Sequence, residues 1–283
     1  MQLKRKITCL CAILLGLTFI SCSANTGSAS VSNDTVSESS SYSSVSSNSS
    51  SSSNSSSSSV SKPEEPEDTY PVVGTKSITV PYTTATPTID GEREELYDGA
   101  VHISLDEPNL DSEWIKSEYF ESADLWMLYD DSYFYIYVEV QDFWLDTRNT
   151  NVWERDALAL IFDYNYYREK ELYSANDALK ENIGYINLAA EAQTDADVEY
   201  YHAFLGLEDE IEWKTNFTGI SYSYELRVPI LPGFEGNQIG FEPWCIEVYD
   251  GDRVGAMTWN KDGAQMWQYT HVAGTLIFGE KTE

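Results

Sequence analysis

The run Tyr133-Phe134-Tyr135-Ile136-Tyr137-Val138-Glu139-Val140 alternates without a break, a pattern that a β-strand satisfies and a helix does not. Successive strand side chains point to opposite faces. Phe134, Ile136, Val138 and Val140 therefore form a core face, and Tyr133, Tyr135, Tyr137 and Glu139 an amphipathic one. Asp130-Asp131-Ser132 supplies the turn before it. A second alternating run, Ala157 to Tyr164, follows the charged turn Asn151-Val152-Trp153-Glu154-Arg155-Asp156. Leu158, Leu160 and Phe162 share one side; Ala157, Ala159, Ile161 and Asp163 share the other. Trp153 stands just before this strand, where a loop can carry it over an open sheet face.

Further strands are expected at Ser77–Tyr82, Ala123–Tyr129, Ile183–Ala190, Ser221–Pro229, Gln238–Val248, Val254–Thr258 and Ala273–Phe278. Arg168 to Asn182 carries helix-favouring Lys, Glu, Leu and Ala and reads as a helix within an insertion. Evenly spaced strands separated by turn clusters predict an all-β domain over residues 76–283, a two-sheet antiparallel β-sandwich. Cys245, in the apolar run Phe241 to Val248, reads as a small buried hydrophobe.

The residues before that domain read differently. Lys4-Arg5-Lys6 precedes the apolar stretch Ile7 to Ile20, which is short for a bilayer span. It ends in Ser21-Cys22 and resembles a bacterial lipoprotein signal over residues 1–22, with Cys22 the lipidated residue and the protein held outside the cell at the membrane. Residues 23–75 form a Ser-rich tether too poor in apolar side chains to offset chain entropy. A net charge of -30 argues against nucleic acid as a partner, because phosphate binding needs a basic surface. That charge suits either solubility or a hard cation such as calcium.

The ordered series of segments in the folded part resembles carbohydrate-binding module family 9. The series opens with Ala85-Thr86-Pro87-Thr88-Ile89-Asp90-Gly91-Glu92 and Glu94-Glu95-Leu96-Tyr97. It continues through Ala123-Asp124-Leu125-Trp126, Trp153-Glu154-Arg155-Asp156-Ala157-Leu158 and Tyr224-Glu225-Leu226-Arg227-Val228-Pro229. Ile239-Gly240-Phe241-Glu242, Asp250-Gly251-Asp252-Arg253, Thr258-Trp259-Asn260 and Gly274-Thr275-Leu276 complete it. The resemblance implies a noncatalytic module that sandwiches a terminal sugar between two Trp rings. Trp153 corresponds to one wall, and Trp267, in the loop Asn260 to Tyr269, to the other. Trp126 and Trp244, inside apolar runs, read as core, and Trp259 as packing at a strand end.

Two positions depart from that pattern. Where the family carries a Glu six residues after the first Trp, this chain has Ala159; where it carries an Arg, this chain has Tyr185. Tyr185 and Asn187 are the expected substitute contacts to the glycan. The family also implies structural calcium, for which Asp106 to Asp111, Asp130-Asp131, and Asp250 with Asp252 offer acidic loops. Plant-type glycans, of xylan or cellulose kind, and glycan-degrading enzyme partners complete the expectation.

Nothing in the sequence selects a catalytic constellation. The three His residues, His102, His202 and His271, are isolated, and no nucleophile elbow or phosphate-cradling glycine loop is present. Two other readings stay open. Related sandwiches bind haem for electron transfer, with Met127, Met257, Met266 and the His residues as the available ligands. The other is a surface spacer or assembly lipoprotein without a sugar site.

Overall fold

The computed structural model describes residues 74–109, 120–168 and 176–281. The signal, Cys22 and nearly all of the tether lie outside the described residues. Among the described residues, thirteen strands and almost no helix build two facing sheets, as the alternation predicts. One sheet has five strands, in the order β2 (Val101–Ser104), β4 (Phe120–Tyr129), β5 (Tyr133–Asp142), β10 (Ser221–Pro229) and β9 (Glu212–Phe217). The other runs β1 (Ser77–Val80), β13 (Gly274–Phe278), β11 (Gln238–Tyr249), β6 (Ala157–Asp163), β7 (Ile183–Ala189) and β8 (Val198–His202). The far half of β11 also pairs with β12 (Asp252–Thr258), which in turn pairs with β3 (Glu107–Asn109). All pairings are antiparallel except β1 with β13.

The core lies between the sheets, and the predicted faces account for it. Phe134, Ile136, Val138 and Val140 meet Leu158, Leu160 and Phe162, all fully buried. Burying side chains of this size contributes roughly 1.5–3 kcal/mol each. Cys245 lies in the same cluster, as a hydrophobe with its thiol pushed up by burial.

Both outer faces are also partly covered, which alternation alone does not reveal. On the five-stranded sheet, Tyr135 and Tyr137 are buried beneath a 3-10 turn, Glu95–Gly99, whose Tyr97 hydroxyl donates to Glu225 at 3.0 Å. Trp126, expected in the core, belongs to this outer face. It is half-buried, stacked on His102 at 5.0 Å and capped by the Arg93 guanidinium. On the eight-stranded sheet, Ala157, Ala159, Ile161, Trp244 and Ile246 form a second apolar cluster under Val152, Ala264, Met266 and Val272. Of the helix expected over Arg168 to Asn182, the described part holds a single turn, α1 (Asp177–Lys180), capped by Asn176. The edge strands β2, β3, β8 and β9 were not expected; each is short or polar.

Candidate functional site

The covered outer face of the eight-stranded sheet carries a cavity of about 450 Å³. Strand register places its floor in rows that cross the sheet. In one row Trp244, Ala159, Asn187 and Glu199 stand side by side on β11, β6, β7 and β8. In the next, Glu242, Ile161, Tyr185 and Tyr201 do the same. Directly opposed residues share a face, so every side chain in these rows points away from the sandwich core. Ala159 leaves the centre low, and Trp244 and Asn187 flank it.

Two turns raise the walls. Trp153 sits in a 3-10 turn, Val152–Glu154, held by Val152 buried against the sheet and by the Arg155 N–H donating to the Val152 carbonyl at 2.9 Å. The Arg155 guanidinium fixes the approach to this turn, donating to Asn149 and Thr150 carbonyls and pairing with Asp197 at 2.9 Å. With its neighbours thus tied down, the indole projects, 39% exposed. Trp267 ends another 3-10 turn, Gly263–Trp267, anchored by buried Ala264 and Met266, and is 49% exposed. Glu242 clamps the base of that turn, accepting the Asn260 backbone N–H at 2.7 Å and its side-chain amide at 2.8 Å. Gly263 is required here: a Cβ would fall 2.2 Å from a Glu242 carboxylate oxygen. Burial pushes the Glu242 carboxyl up to about 8.

Trp153, Trp267, Tyr185 and Asn187, the four residues singled out from sequence, thus line one cavity. Trp244 lines it too; it is buried, as expected, but on the cavity side of the sheet rather than in the core between the sheets. Its Nε1 and the Asn187 Oδ1 are buried without a hydrogen-bond partner among the described residues. Tyr201, His202 and Arg253 complete the lining and were not expected as glycan contacts, because they lie on β8 and β12, where sequence gives no clue to their cross-strand neighbours. Tyr185 and Tyr201 stack at 4.9 Å, and Tyr185 lies 5.9 Å from Trp244. Burial pushes the Tyr185 hydroxyl up to about 12, so it is protonated and able to donate. A second, more polar cleft of about 350 Å³ shares Trp267 and Arg253 and adds Gln265 and Gln268.

A different set of carboxylates gathers between the sheets. Asp142, Asp156 and Glu247, from the end of β5, the entry to β6 and the end of β11, are all buried and bring oxygens within 4.8 Å of one another. Asp142 accepts the Trp144 N–H at 2.7 Å and Asp156 the Val248 N–H at 2.6 Å, while Glu247 Oε2 has no partner among the described residues. Burial raises all three carboxyls, and their neighbours add to it for Asp156 and Glu247. None of the acidic loops picked out in the sequence contains these residues. Met127 and Met266, by contrast, are packed among apolar side chains in separate clusters.

A two-sheet sandwich with a ring-lined hollow on one outer face has the form of a binding module. The carbohydrate family 9 binding domain-like model matches residues 89–281, and the chain belongs to that family. Endo-1,4-beta-xylanase A of Thermoanaerobacterium saccharolyticum is 27% identical over 69% of this chain, and exoglucanase XynX of Acetivibrio thermocellus 25% over the same share. The aligned part spans only 16% and 17% of those enzymes. A family 9 module from Caldicellulosiruptor kristjanssonii in complex with glucose superposes with a TM-score of 0.59 at 18% identity, over 74% of this chain and 98% of that one. The cellotriose complex gives 0.58 at 19% identity, over 74% and 96%.

Proposed function

We propose that the cavity grips a glycan by stacking, with Trp153 and Trp267 against the apolar faces of a sugar and Tyr185 and Asn187 beside its hydroxyls. The observation that carries this reading is that two half-exposed indoles, raised by separate turns, line one hollow. Pyranose C–H faces stack on aromatic rings while ring-edge hydroxyls need donors and acceptors. Covering about 80 Å² of apolar surface per ring contributes about 2 kcal/mol, or roughly 30-fold in affinity. The xylanase and exoglucanase relatives and the glucose and cellotriose complexes support plant-type oligosaccharides of the xylan or cellulose kind as ligands. Titration with cello- and xylo-oligosaccharides, followed by Trp fluorescence, tests it. Saturable quenching that Trp153→Ala weakens supports the reading; affinity unchanged in both Trp153→Ala and Trp267→Ala overturns it.

Two further elements belong to the same reading. Asp142, Asp156 and Glu247 would hold a calcium ion, a hard cation that takes oxygen ligands and would supply charge neutralisation between the sheets. The Glu247 Oε2 without a partner among the described residues and the all-oxygen ligand set fit it. The Cys22 lipid anchor and tether would display the module outside the cell, near enzymes that release oligosaccharides. Labelling with a fatty-acid analogue, lost in Cys22→Ser, checks the anchor.

A further inference from the structure

Glu199 ties three parts of the cavity wall together. Its Oε1 accepts the Val152 N–H at 3.1 Å, at the start of the turn that presents Trp153. Its Oε2 accepts the Asn187 side-chain amide at 3.2 Å and the Tyr201 hydroxyl at 2.7 Å. The backbone N–H and the amide NH₂ can only donate, and the Tyr201 hydroxyl donates to the same carboxylate, so the direction of all three bonds is fixed. The Tyr201 hydroxyl therefore commits its single proton to Glu199, and toward any other group its oxygen can only accept. The Asn187 amide likewise turns its NH₂ to Glu199, leaving its Oδ1 on the other side, without a partner among the described residues. Indole rings stack on any pyranose, whereas a wall of acceptors distinguishes a hydroxyl from a group that cannot donate.

We propose that Glu199 is the positioning residue that sets the hydrogen-bond polarity of this wall, making the side of the cavity built by β7 and β8 an acceptor surface selective for a saccharide hydroxyl. The inference rests on the saccharide reading of the cavity. It also bears on Ala159, the place where the family resemblance implies a Glu. Here a carboxylate stands in the same cross-sheet row, two strands away, and acts through Tyr201 and Asn187.

The test uses the full chain and calorimetric titration with methyl β-cellobioside and its monodeoxyfluoro derivatives, in which fluorine replaces one hydroxyl and cannot donate. In the unaltered protein, at least one position in the series should lose roughly three- to tenfold in affinity, the worth of a neutral hydrogen bond. Glu199→Gln keeps the shape but can donate its amide N–H to the Tyr201 oxygen, freeing the hydroxyl proton to face the cavity. The fluoro penalty at that position should then shrink to about twofold or less. Tyr201→Phe should erase the same penalty, and Glu199→Gln added to it should change little more. A role confined to holding the fold would weaken every derivative alike and leave the ratios intact. Ratios unchanged in a folded Glu199→Gln protein overturn the inference. If that variant does not fold, unchanged ratios in Tyr201→Phe overturn it instead. Failure of the unaltered protein to bind any member of the series removes the saccharide reading itself, a result distinct from unchanged ratios.

Discussion

Chelation of calcium is the perturbation with the clearest expected size. Asp142, Asp156 and Glu247 are buried and mutually close, so ionising them together without a cation is costly. For Asp142 alone, the rise from 3.8 to about 6 corresponds to about 3 kcal/mol against the charged form. A divalent ion would remove that cost and bridge β5 of one sheet to β6 and β11 of the other. A site of micromolar affinity in millimolar calcium stabilises the folded state by about 4 kcal/mol. For a domain of this size, that corresponds to a rise in Tm of roughly 8–16 °C. The assay is thermal unfolding followed by far-UV circular dichroism, after EDTA treatment and after calcium is restored, with magnesium as the control. Asp156→Asn should unfold at the same temperature with and without calcium. Equal melting temperatures in EDTA and calcium for the unaltered chain, with no calcium found by elemental analysis, would refute the reasoning.

Other expectations follow from the turns that carry the rings. Gly263→Ala should push the Glu242 carboxylate and the Asn260 turn apart, lowering Tm and weakening glycan affinity, since the new Cβ would sit 2.2 Å from an oxygen; an unaltered Tm would contradict this packing. Glu242 gives a pH dependence of definite sign. Its carboxyl is raised from 4.5 to about 8 in the folded state, so the unfolded chain releases that proton first. Its contribution is present below 4.5 and is lost as pH rises to about 8, at up to about 1.4 kcal/mol per pH unit. Denaturant titrations from pH 5 to 8 should therefore show a shallower decline in Glu242→Gln, and equal slopes would count against the assignment. Trp267→Ala should cost roughly 30-fold in oligosaccharide affinity with Tm held within a degree or two, because the ring is half exposed.

The sandwich was readable because its central strands bury a face against the opposite sheet, and that demand writes a period of two into Tyr133 to Val140 and Ala157 to Tyr164. Strands β2 and β9 escaped because their sequences, Val-His-Ile-Ser and Glu-Trp-Lys-Thr-Asn-Phe, alternate weakly at a sheet edge. Trp126 illustrates the limit of reading an apolar run as core. Its run is apolar, but the pleat turns its ring outward, beneath Arg93. For the cavity, Trp153 and Trp267 were legible because indoles among polar loop residues have no obvious core to enter. Glu199, Tyr201 and Arg253 were not, since their meaning lies in register with strands remote in sequence. The carboxylate cluster was hidden for the same reason, each member coming from a different strand and only one unpaired oxygen betraying the ensemble.

The row formed by Trp244, Ala159, Asn187 and Glu199 has a consequence for how such a module can diversify. Equivalent rungs on parallel rails let a chemical group migrate sideways from one strand to another while the rings above stay where they are. If Glu199 serves as proposed, a contact lacking at one position of the rung, as at Ala159, is supplied from another strand without any remodelling of the loops.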